Sequence, residues 1–256
     1  MSDAIRLTDL TLGYDGHPAV HHLDGAFAAG SLTAIVGPNG SGKSTLLKGI
    51  MGTLTPLTGR IWRGAADIAY LPQSAEIDKS FPATVSDLIG LGLWKRRGLF
   101  GGFSAGDRGQ IEAALAAVGL EGFARRAIDT LSGGQMQRAL FARVVLQDAP
   151  LVMLDEPFAA IDEQTVGDLI KLIAHWQSEG RTVIAVLHEI ELVRRHFPQT
   201  LLLAREPIAW GSTPVALKPE NLQRARGMPE AWDEHAPWHD NGSAHSHAHA
   251  HGEHVH

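Results

Sequence analysis

The feature of this sequence that most restricts its fold is the run Gly37-Pro-Asn-Gly-Ser-Gly-Lys-Ser44, which fits the pattern G-x-x-x-x-G-K-[ST]. A short apolar strand is predicted before it, at residues 31–36, and a helix is predicted from Gly42 to about Met51. Glycines let successive backbone N–H groups turn inward around a phosphate chain, and the helix directs its positive end to the same place. The pattern predicts a phosphate-binding loop, called here the phosphate loop, made of Gly37, Pro38, Asn39, Gly40, Ser41, Gly42, Lys43, Ser44 and Thr45.

Two side chains of the phosphate loop suit a nucleoside triphosphate that is bound together with Mg²⁺. Lys43 would reach the β- and γ-phosphates, and the Ser44 hydroxyl would ligate the metal ion. A chance glycine-rich turn is the alternative, but it does not require a strand before it and a helix after it. We therefore predict that the chain binds ATP or GTP.

A second motif, Leu151-Val-Met-Leu-Asp-Glu-Pro157, supplies carboxylates for the same chemistry. The apolar residues predict a buried strand, and Asp155 lies at its carboxyl end, where ligands bind in open α/β sheets. Asp155 would hold Mg²⁺, and Glu156 would orient or deprotonate the attacking water. Without a phosphate loop, such a run would more often be a strand that leads into a solvated turn.

The order of the predicted elements favours an α/β fold that is interrupted by a helical block. Residues 75–150 show helical patterns, whereas strands are predicted on either side, at residues 31–36 and 151–154. A further strand is predicted at residues 182–187, with a helix at residues 166–178 before it. This alternation is typical of an α/β core that carries a helical insert.

The same pattern suggests where the domain ends. We expect one domain over residues 1–233, with a helical subdomain inserted at about residues 75–150. After about Pro219 the composition shifts to Pro, Gly, polar residues and His, so we expect order to fade there. Residues 234–256 are predicted to form a flexible tail.

Composition argues against several classes of protein. The 256 residues are 44% hydrophobic, contain no cysteine and carry a formal charge of −6. Without cysteine there is no thiolate metal site, and the acidic balance disfavours a dedicated nucleic-acid-binding protein. The sequence has no signal-peptide pattern and no apolar run of about 18 residues, so we expect a cytoplasmic chain that does not cross a membrane by itself.

The most specific motif is Leu131-Ser-Gly-Gly-Gln135, called here the signature segment. Ser132 is placed to cap a helix from about Gln135 to Leu146, and the two glycines leave the first N–H groups of that helix open to an anion. The segment matches the signature sequence of ABC-transporter ATPases. Because the phosphate loop and Asp155-Glu156 occur in that family's order, the chain resembles ABC-transporter ATPases over roughly residues 3–215.

The resemblance implies a P-loop NTPase fold, with a RecA-like mixed sheet, an antiparallel β subdomain and an inserted helical subdomain. It also implies roles for residues outside the three motifs. Tyr14 resembles the aromatic residue that stacks on adenine, although a strand aromatic in the core is the alternative. Gln73 resembles the glutamine that links the subdomains and approaches Mg²⁺, and His188 resembles the histidine at the γ-phosphate. Asp162 resembles the acidic residue of the loop that crosses the dimer interface.

The family mechanism implies a homodimer that encloses two ATP molecules. Four signature residues of one copy would cover the nucleotide held by Lys43 of the other, namely Ser132, Gly133, Gly134 and Gln135. Closure would complete two sites that neither copy has alone. Hydrolysis through Glu156, with Gln73 and His188 at the same site, would let the copies part.

The chain has one signature segment and no room for coiled-coil or zinc-bearing insertions, so a transporter with separately encoded membrane permease subunits is favoured. Residues 81–90 resemble importer cassettes for manganese, zinc or iron, and also those for iron-siderophore, haem or cobalamin. Residues 81–103 lie where the family docks on its permease, although a solvent-facing loop is equally compatible. The resemblance implies a peripheral position on the cytoplasmic face of the inner membrane and an indirect partnership with an extracytoplasmic metal-binding protein.

The chain ends in a histidine-rich tract, with ligand candidates at His245, His247, His249, His251, His254 and His256. Imidazole is the commonest protein ligand for Zn²⁺ and is mostly neutral near pH 7, so a flexible chain could wrap several of these rings around an ion. A purification tag and an inert tail are the alternatives. The interspersed Ala, Ser, Gly, Glu and Val favour a native zinc-binding tail over a tag.

These observations predict an ATPase that powers import of a transition metal, with zinc favoured over manganese because imidazole suits zinc. The alternative within transport is an iron-chelate, haem or manganese importer. The alternatives of other classes are a soluble metal buffer with an incidental ATPase and a non-transport ABC ATPase that acts on nucleic acid. The acidic charge makes the last of these the weakest, and we expect no nucleic-acid partner.

Overall fold

The structure is a computed structural model that describes residues 2–64, 67–73, 78, 80–97, 103–159 and 161–227. The strands are β1 (Asp3–Tyr14), β2 (His17–Ala28), β3 (Leu32–Val36), β4 (Thr58–Arg63), β5 (Ile68–Leu71), β6 (Leu151–Asp155), β7 (Thr182–Val186), β8 (Gln199–Ala204) and β9 (Glu206–Ser212). The helices are α1 (Lys43–Met51), α2 (Val85–Gly90), α3 (Trp94–Arg97), α4 (Ala105–Ala117), α5 (Gly133–Gln147), α6 (Glu163–Ser178), α7 (Ile190–His196), α8 (Thr213–Ala216) and α9 (Pro219–Arg226).

The central element is a six-stranded sheet in the order β5-β6-β7-β3-β8-β9. Its first five strands are mutually parallel, and β9 pairs antiparallel with β8 at one edge. Strands β3, β6 and β7 are buried at every position, as expected for parallel strands that are covered on both faces. The predicted mixed sheet is confirmed.

A second, antiparallel sheet has the order β2-β1-β4 and lies against the central sheet. Its strand β1 buries Ile5, Leu7, Leu10 and Leu12, and a register shift between Leu7 and Leu10 keeps these side chains on the inner face. Trp210 of β9 packs against Phe27 of β2 in a tilted arrangement, with ring centroids 4.7 Å apart and an interplanar angle of 55°, which joins the two sheets. The predicted antiparallel β subdomain is therefore confirmed.

The two faces of the central sheet have different covers, because successive strand residues point to opposite sides. On one side, Ile35 and Met153 pack with Leu46 of α1 and with the antiparallel sheet. On the other side, Ala34 and Val152 belong to a core that includes the helices α2 and α4 to α7. The helical insert thus shares one continuous core with the sheet.

The chain is helical directly after Pro219, so order does not begin to fade at that residue as expected. Residues Pro219–Arg226 form α9, with proline at the start of the helix, where its missing N–H is not needed. Ala225 is buried, and Leu222 packs against the same core. The polar composition suggested disorder, but two apolar residues at helical spacing are sufficient to dock a short helix. Residues 228–256 lie outside the described residues.

Helices α5 and α6 begin two to three residues earlier than their apolar patterns indicated, because a polar side chain caps the N-terminus of each. The Ser132 hydroxyl accepts the backbone N–H of Gln135 at 3.2 Å, and α5 begins at Gly133 rather than near Gln135. Asp162 accepts the backbone N–H of Thr165 at 2.9 Å, and α6 begins at Glu163 rather than Val166. The predicted α1 is confirmed, since it spans Lys43–Met51 and ends on Gly52 in the left-handed conformation.

Candidate nucleotide-binding site

The phosphate loop joins the carboxyl end of β3 to the first turn of α1. Gly40 and Gly42 have φ values of 73° and 91°, which favour glycine. A Cβ on Gly37 would lie 1.9 Å from the carbonyl oxygen of Leu203, so no side chain fits there. The close approach of β8 thus explains Gly37, and left-handed backbone conformations explain Gly40 and Gly42.

Lys43 is folded into the concave side of the phosphate loop. Only 7% of the residue is exposed, and Nζ donates to the carbonyl oxygens of Gly37 at 3.0 Å and Pro38 at 2.8 Å. Burial lowers the pKa of Lys43 below its ordinary value of 10.5, while the nearby Glu156 and Asp155 carboxylates oppose that shift. A phosphate would offer this ammonium group a charged acceptor in place of neutral carbonyls.

Asp155 and Glu156 reach the same edge of the sheet. Asp155 is the last residue of β6 and pairs with Val186 of β7. Val186 in turn pairs with Ile35 of β3, the strand that leads into the phosphate loop. Asp155 is 1% exposed. Its carboxylate and the partly buried Ser44 hydroxyl are hard oxygen donors, and they fit Mg²⁺.

Glu156 has an unusual backbone and a close partner. Its φ of 49° lies in the left-handed region, and its N–H donates to the Val186 carbonyl at 3.2 Å. His188 Nε2 lies 2.6 Å from Glu156 Oε1, with the two side chains 43% and 29% exposed. The structure therefore brings Lys43, the adjacent pair Asp155 and Glu156, and His188 together from three distant parts of the sequence.

The signature segment forms the N-terminus of α5, and its polar groups are used in the cap. Besides the bond from Gln135 to the Ser132 hydroxyl, the Ser132 N–H donates to Gln135 Oε1 at 3.1 Å. Ser132 and Gly133 are exposed. Within the described ranges no hydrogen bond links this segment to the phosphate loop, so the two do not form one site within a single chain.

The remaining predicted residues lie at element ends. Tyr14 is the last residue of β1 and is 47% exposed, so the alternative of a core aromatic is wrong. Gln73 follows β5 and is partly buried. The pKa of the Asp162 carboxyl is lowered mainly by a hydrogen bond from the backbone N–H of Thr165, and further by one from the Thr165 hydroxyl. For these residues the structure supplies positions, and their roles stay predictions.

Sequence reasoning missed the residues that support the phosphate loop from the β8–β9 turn. Arg205 N–H donates to the Ser41 carbonyl at 3.1 Å, and the Arg205 carbonyl accepts the His21 N–H at 2.8 Å. Arg205 has a φ of 62°, a left-handed value that is uncommon outside glycine. No local motif predicts this bridge, because it is made by backbone atoms of residues that are distant in the sequence.

Two further features concern the predicted metal and membrane contacts. In the described part of the chain, no cluster of at least three His, Asp or Glu side chains is arranged to hold a metal ion. The candidate zinc ligands at residues 245–256 lie outside that part. None of the described helices has the length and apolar character needed to span a bilayer.

Comparison with known proteins gives the family. The family model described as "ABC transporter" matches residues 20–159. A probable metal transport system ATP-binding protein of Chlamydia trachomatis is 38% identical over 226 residues, covering 86% of this chain and 87% of that protein. The zinc transport system ATP-binding protein TroB of Treponema pallidum is 36% identical over 88% of this chain and 87% of its own length. The manganese transport system ATP-binding protein MntB of Bacillus subtilis is 35% identical, covering 87% of this chain and 92% of that protein.

A solved structure agrees with these relatives. An inward-facing structure assigned to a metal-chelate type ABC transporter superposes with a TM-score of 0.79 at 30% identity, covering 88% of this chain and 89% of that chain. The similarity extends over nearly the whole described chain and includes the phosphate loop, Asp155-Glu156 and the signature segment. The chain therefore belongs to the ABC transporter family, as an ATPase of the kind that binds and hydrolyses ATP in such transporters.

Proposed function

We propose that this chain is the ATP-hydrolysing subunit of an importer for a transition metal, and that the metal is zinc. The observation that carries the proposal is the similarity to metal transport ATP-binding proteins over at least 86% of the chain. Those relatives include proteins named for zinc and for manganese at 36% and 35% identity, so similarity alone does not separate the two metals. The histidine-rich tail favours zinc, because imidazole suits zinc and carboxylate suits manganese.

We assign the nucleotide chemistry to the residues at the edge of the central sheet, together with Tyr14 and Gln73. Lys43 binds the β- and γ-phosphates, Tyr14 stacks on adenine, and Ser44, Asp155 and Gln73 hold Mg²⁺. Bound Mg²⁺ would neutralise charge on the phosphates during phosphoryl transfer. Glu156 accepts a proton from the attacking water through Oε1, the atom that lies 2.6 Å from His188 Nε2.

We propose that the complete site needs a second copy of the chain. The signature residues of one copy, Ser132 to Gln135, would cover the nucleotide held by the other, and Asp162 would lie at the same interface. Two features support this arrangement: Ser132 and Gly133 at the start of α5 are exposed, and the signature segment makes no hydrogen bond to its own phosphate loop in the described residues. The positive end of α5 would then face the γ-phosphate.

We further propose that permease subunits dock where large apolar side chains are exposed on the helical insert. Phe81, Leu91 and Trp94 are 67%, 48% and 50% exposed. Exposed large apolar side chains are typical of protein contact surfaces when they form a contiguous patch. This docking would hold the chain on the cytoplasmic face of the inner membrane, and an extracytoplasmic metal-binding protein would act through the permease.

The proposed domain organisation follows from these assignments. Residues 1–233 would form the ATPase domain, with the helical insert at about residues 75–150, and residues 234–256 would form the tail. The tail would bind Zn²⁺ weakly through several of its histidines, because ordering a flexible chain opposes binding. It would buffer or sense the metal in the cytoplasm rather than take part in hydrolysis.

The test is metal accumulation in zinc-starved cells that lack this chain, with zinc, manganese and iron measured in parallel. Three versions are compared: the full chain, Glu156→Gln, and a chain that stops after Trp232. We expect the full chain to restore zinc and Glu156→Gln to fail. If the truncated chain restores zinc equally, the tail is dispensable for uptake. Restoration of manganese or iron without zinc would refute the zinc assignment and favour the alternative substrates.

A further inference from the structure

Helix α5 is bound to the central sheet by polar side chains as well as by its apolar face. Gln137 Nε2 donates to the Pro157 carbonyl at 2.9 Å. Farther along the helix, Arg143 donates to the Tyr70 carbonyl at 2.9 Å, and Gln147 accepts the Tyr70 N–H at 3.0 Å. The helix that begins with the signature segment is thus attached to the turn after Glu156 and to the strand that leads to Gln73.

Gln137 is the most deeply buried of these side chains. The residue is 0% exposed, and its Oε1 is buried with no hydrogen-bond partner among the described residues. A carboxamide that leaves an acceptor unpaired in the core destabilises the fold relative to an apolar side chain of equal volume. Packing therefore does not explain glutamine here, whereas the hydrogen bond to Pro157 does.

The acceptor of this bond is adjacent to the residue assigned to hydrolysis. Pro157 directly follows Glu156, whose backbone is held in the left-handed region at a φ of 49°. Gln137 lies two residues after Gln135, within the first turns of α5, so it moves with the signature segment. A hydrogen bond of 2.9 Å thus connects the helix that begins with the signature segment to the turn that follows Glu156.

We propose that Gln137 is a positioning residue that couples the signature segment to Glu156. When a nucleotide draws the signature segment of one copy against the other, the Gln137–Pro157 bond transmits the displacement of α5 to the Glu156 turn. The carboxylate then reaches its working position only when the dimer is closed. This inference rests on the dimeric ATPase of the proposed function and is independent of which metal is transported.

The test compares steady-state ATP hydrolysis by the purified full chain with that of Gln137→Met, which keeps the volume and removes the N–H donor. We expect kcat to fall about tenfold, because a small misplacement of a catalytic group is sufficient for such a loss. The KM for ATP and the affinity for ATP measured without turnover should stay within about twofold, because the phosphate loop is untouched. Gln137→Leu is a second apolar variant, which keeps the test valid if the Met variant folds poorly.

The chain offers a matched control in Gln177, which also donates from Nε2 to a backbone carbonyl, that of Gly30 at 3.3 Å. Gly30 precedes β3 at the end of the strand opposite the phosphate loop, so Gln177→Met should leave kcat unchanged. The proposal would be overturned if kcat of the Gln137 variants stayed within about twofold of the wild type, or if Gln177→Met lowered kcat equally. It would also be overturned if the fall in kcat were matched by weaker ATP binding or by a lower unfolding temperature. If cellular metal uptake proves independent of this chain, the proposed metal substrate is refuted, whereas the kcat comparison still tests the role of Gln137.

Discussion

Glu156 combines a strained backbone with the carboxylate that we assign to hydrolysis. A left-handed φ of 49° is unfavourable for a residue with a side chain, and such conformations persist only where the surroundings enforce them. Here the enforcing contacts are the N–H bond to the Val186 carbonyl and the 2.6 Å contact between Oε1 and His188 Nε2. The strained backbone directs a carboxylate out of the end of a buried strand, as the assigned role requires.

Glu156→Gln should bind ATP but hydrolyse it slowly. The amide keeps the shape of the side chain and cannot accept a proton, so we expect kcat to fall by about 10²–10⁴-fold. ATP affinity, measured by equilibrium binding, should change little, because Lys43 and the phosphate loop remain. The matched control is Glu112→Gln, an exposed position on α4. A variant that retained more than about a tenth of the wild-type kcat would contradict the assignment.

His21 should make the folded state sensitive to acid. Burial lowers its pKa below the ordinary 6.5; His22 and Arg205 lower it further, and Glu206 partly opposes them. The unfolded chain therefore binds the proton more tightly, so stability is lost as the pH falls below about 6.5. Urea unfolding at about pH 7.5 and pH 5.5 should show a smaller loss for His21→Gln than for the wild type. Exposed His175 supplies the control, and an unchanged loss in His21→Gln would contradict this prediction.

At the scale of elements, the helical insert depends on how closely its pieces approach one another. A Cβ on Gly92 would lie 2.6 Å from the Arg143 carbonyl oxygen and 2.9 Å from Leu146 Cβ, so the short helical turn at Leu91–Leu93 lies directly on α5. A Cβ on Gly109, in the exposed part of α4, would meet no atom within 4 Å beyond the backbone of its own helix. Two glycines in one subdomain thus have opposite surroundings: close packing in one case and open space in the other.

Gly109→Ala should stabilise the protein by about 0.5–1 kcal/mol, because alanine lowers the entropy cost of the helix at a site without steric conflict. Gly92→Ala should destabilise it, because the added methyl collides with the backbone of α5. Urea denaturation of both variants measures the free energy of unfolding. If Gly92→Ala were neutral, the close approach of Leu91–Leu93 to α5 would be in doubt.

At the scale of the whole molecule, the residues assigned to the nucleotide site lie on two separate surfaces. The sheet edge supplies Lys43, Asp155 and Glu156, whereas the signature segment lies at the exposed N-terminus of α5 and bonds to its own cap. Under the proposed function, one chain presents two halves of a site that no hydrogen bond joins within the described residues. A two-fold pairing of copies would join each half to its complement, as closed symmetric dimers do.

ATP should drive that pairing when hydrolysis is blocked. With ATP and Mg²⁺, we expect Glu156→Gln to shift from 27.5 kDa to about twice that mass in light scattering coupled to gel filtration. Adding Gly133→Asp should prevent the shift, because a carboxylate at the start of α5 repels the phosphates of the other copy. ADP in place of ATP is the control. Dimers that form equally with ADP or with Gly133→Asp would refute the shared site.

Much of the candidate site was predictable because its motifs are local. The glycines and Lys43 of the phosphate loop, the Ser132 cap and the apolar strand that ends in Asp155 are patterns of a few adjacent residues, and short-range sterics and hydrogen bonding determine their conformations. The α/β class and the helical insert followed from periodicity, which reports on burial one element at a time. Helix α9 was not predicted, since its docking depends on a surface formed by other elements.

Long-range contacts lay beyond any local pattern. The bond between His188 and Glu156, the bridge from Arg205 to Ser41 and the buried bond from Gln137 to Pro157 each join residues at least 20 positions apart. Their partners are set by sheet order, strand register and helix packing, which emerge only when the chain closes its core. Local conformation could thus be predicted from short stretches of the sequence, because it depends on neighbouring residues. The geometry that connects α5 to the Glu156 carboxylate was decided only by the tertiary structure, because it depends on contacts between distant residues.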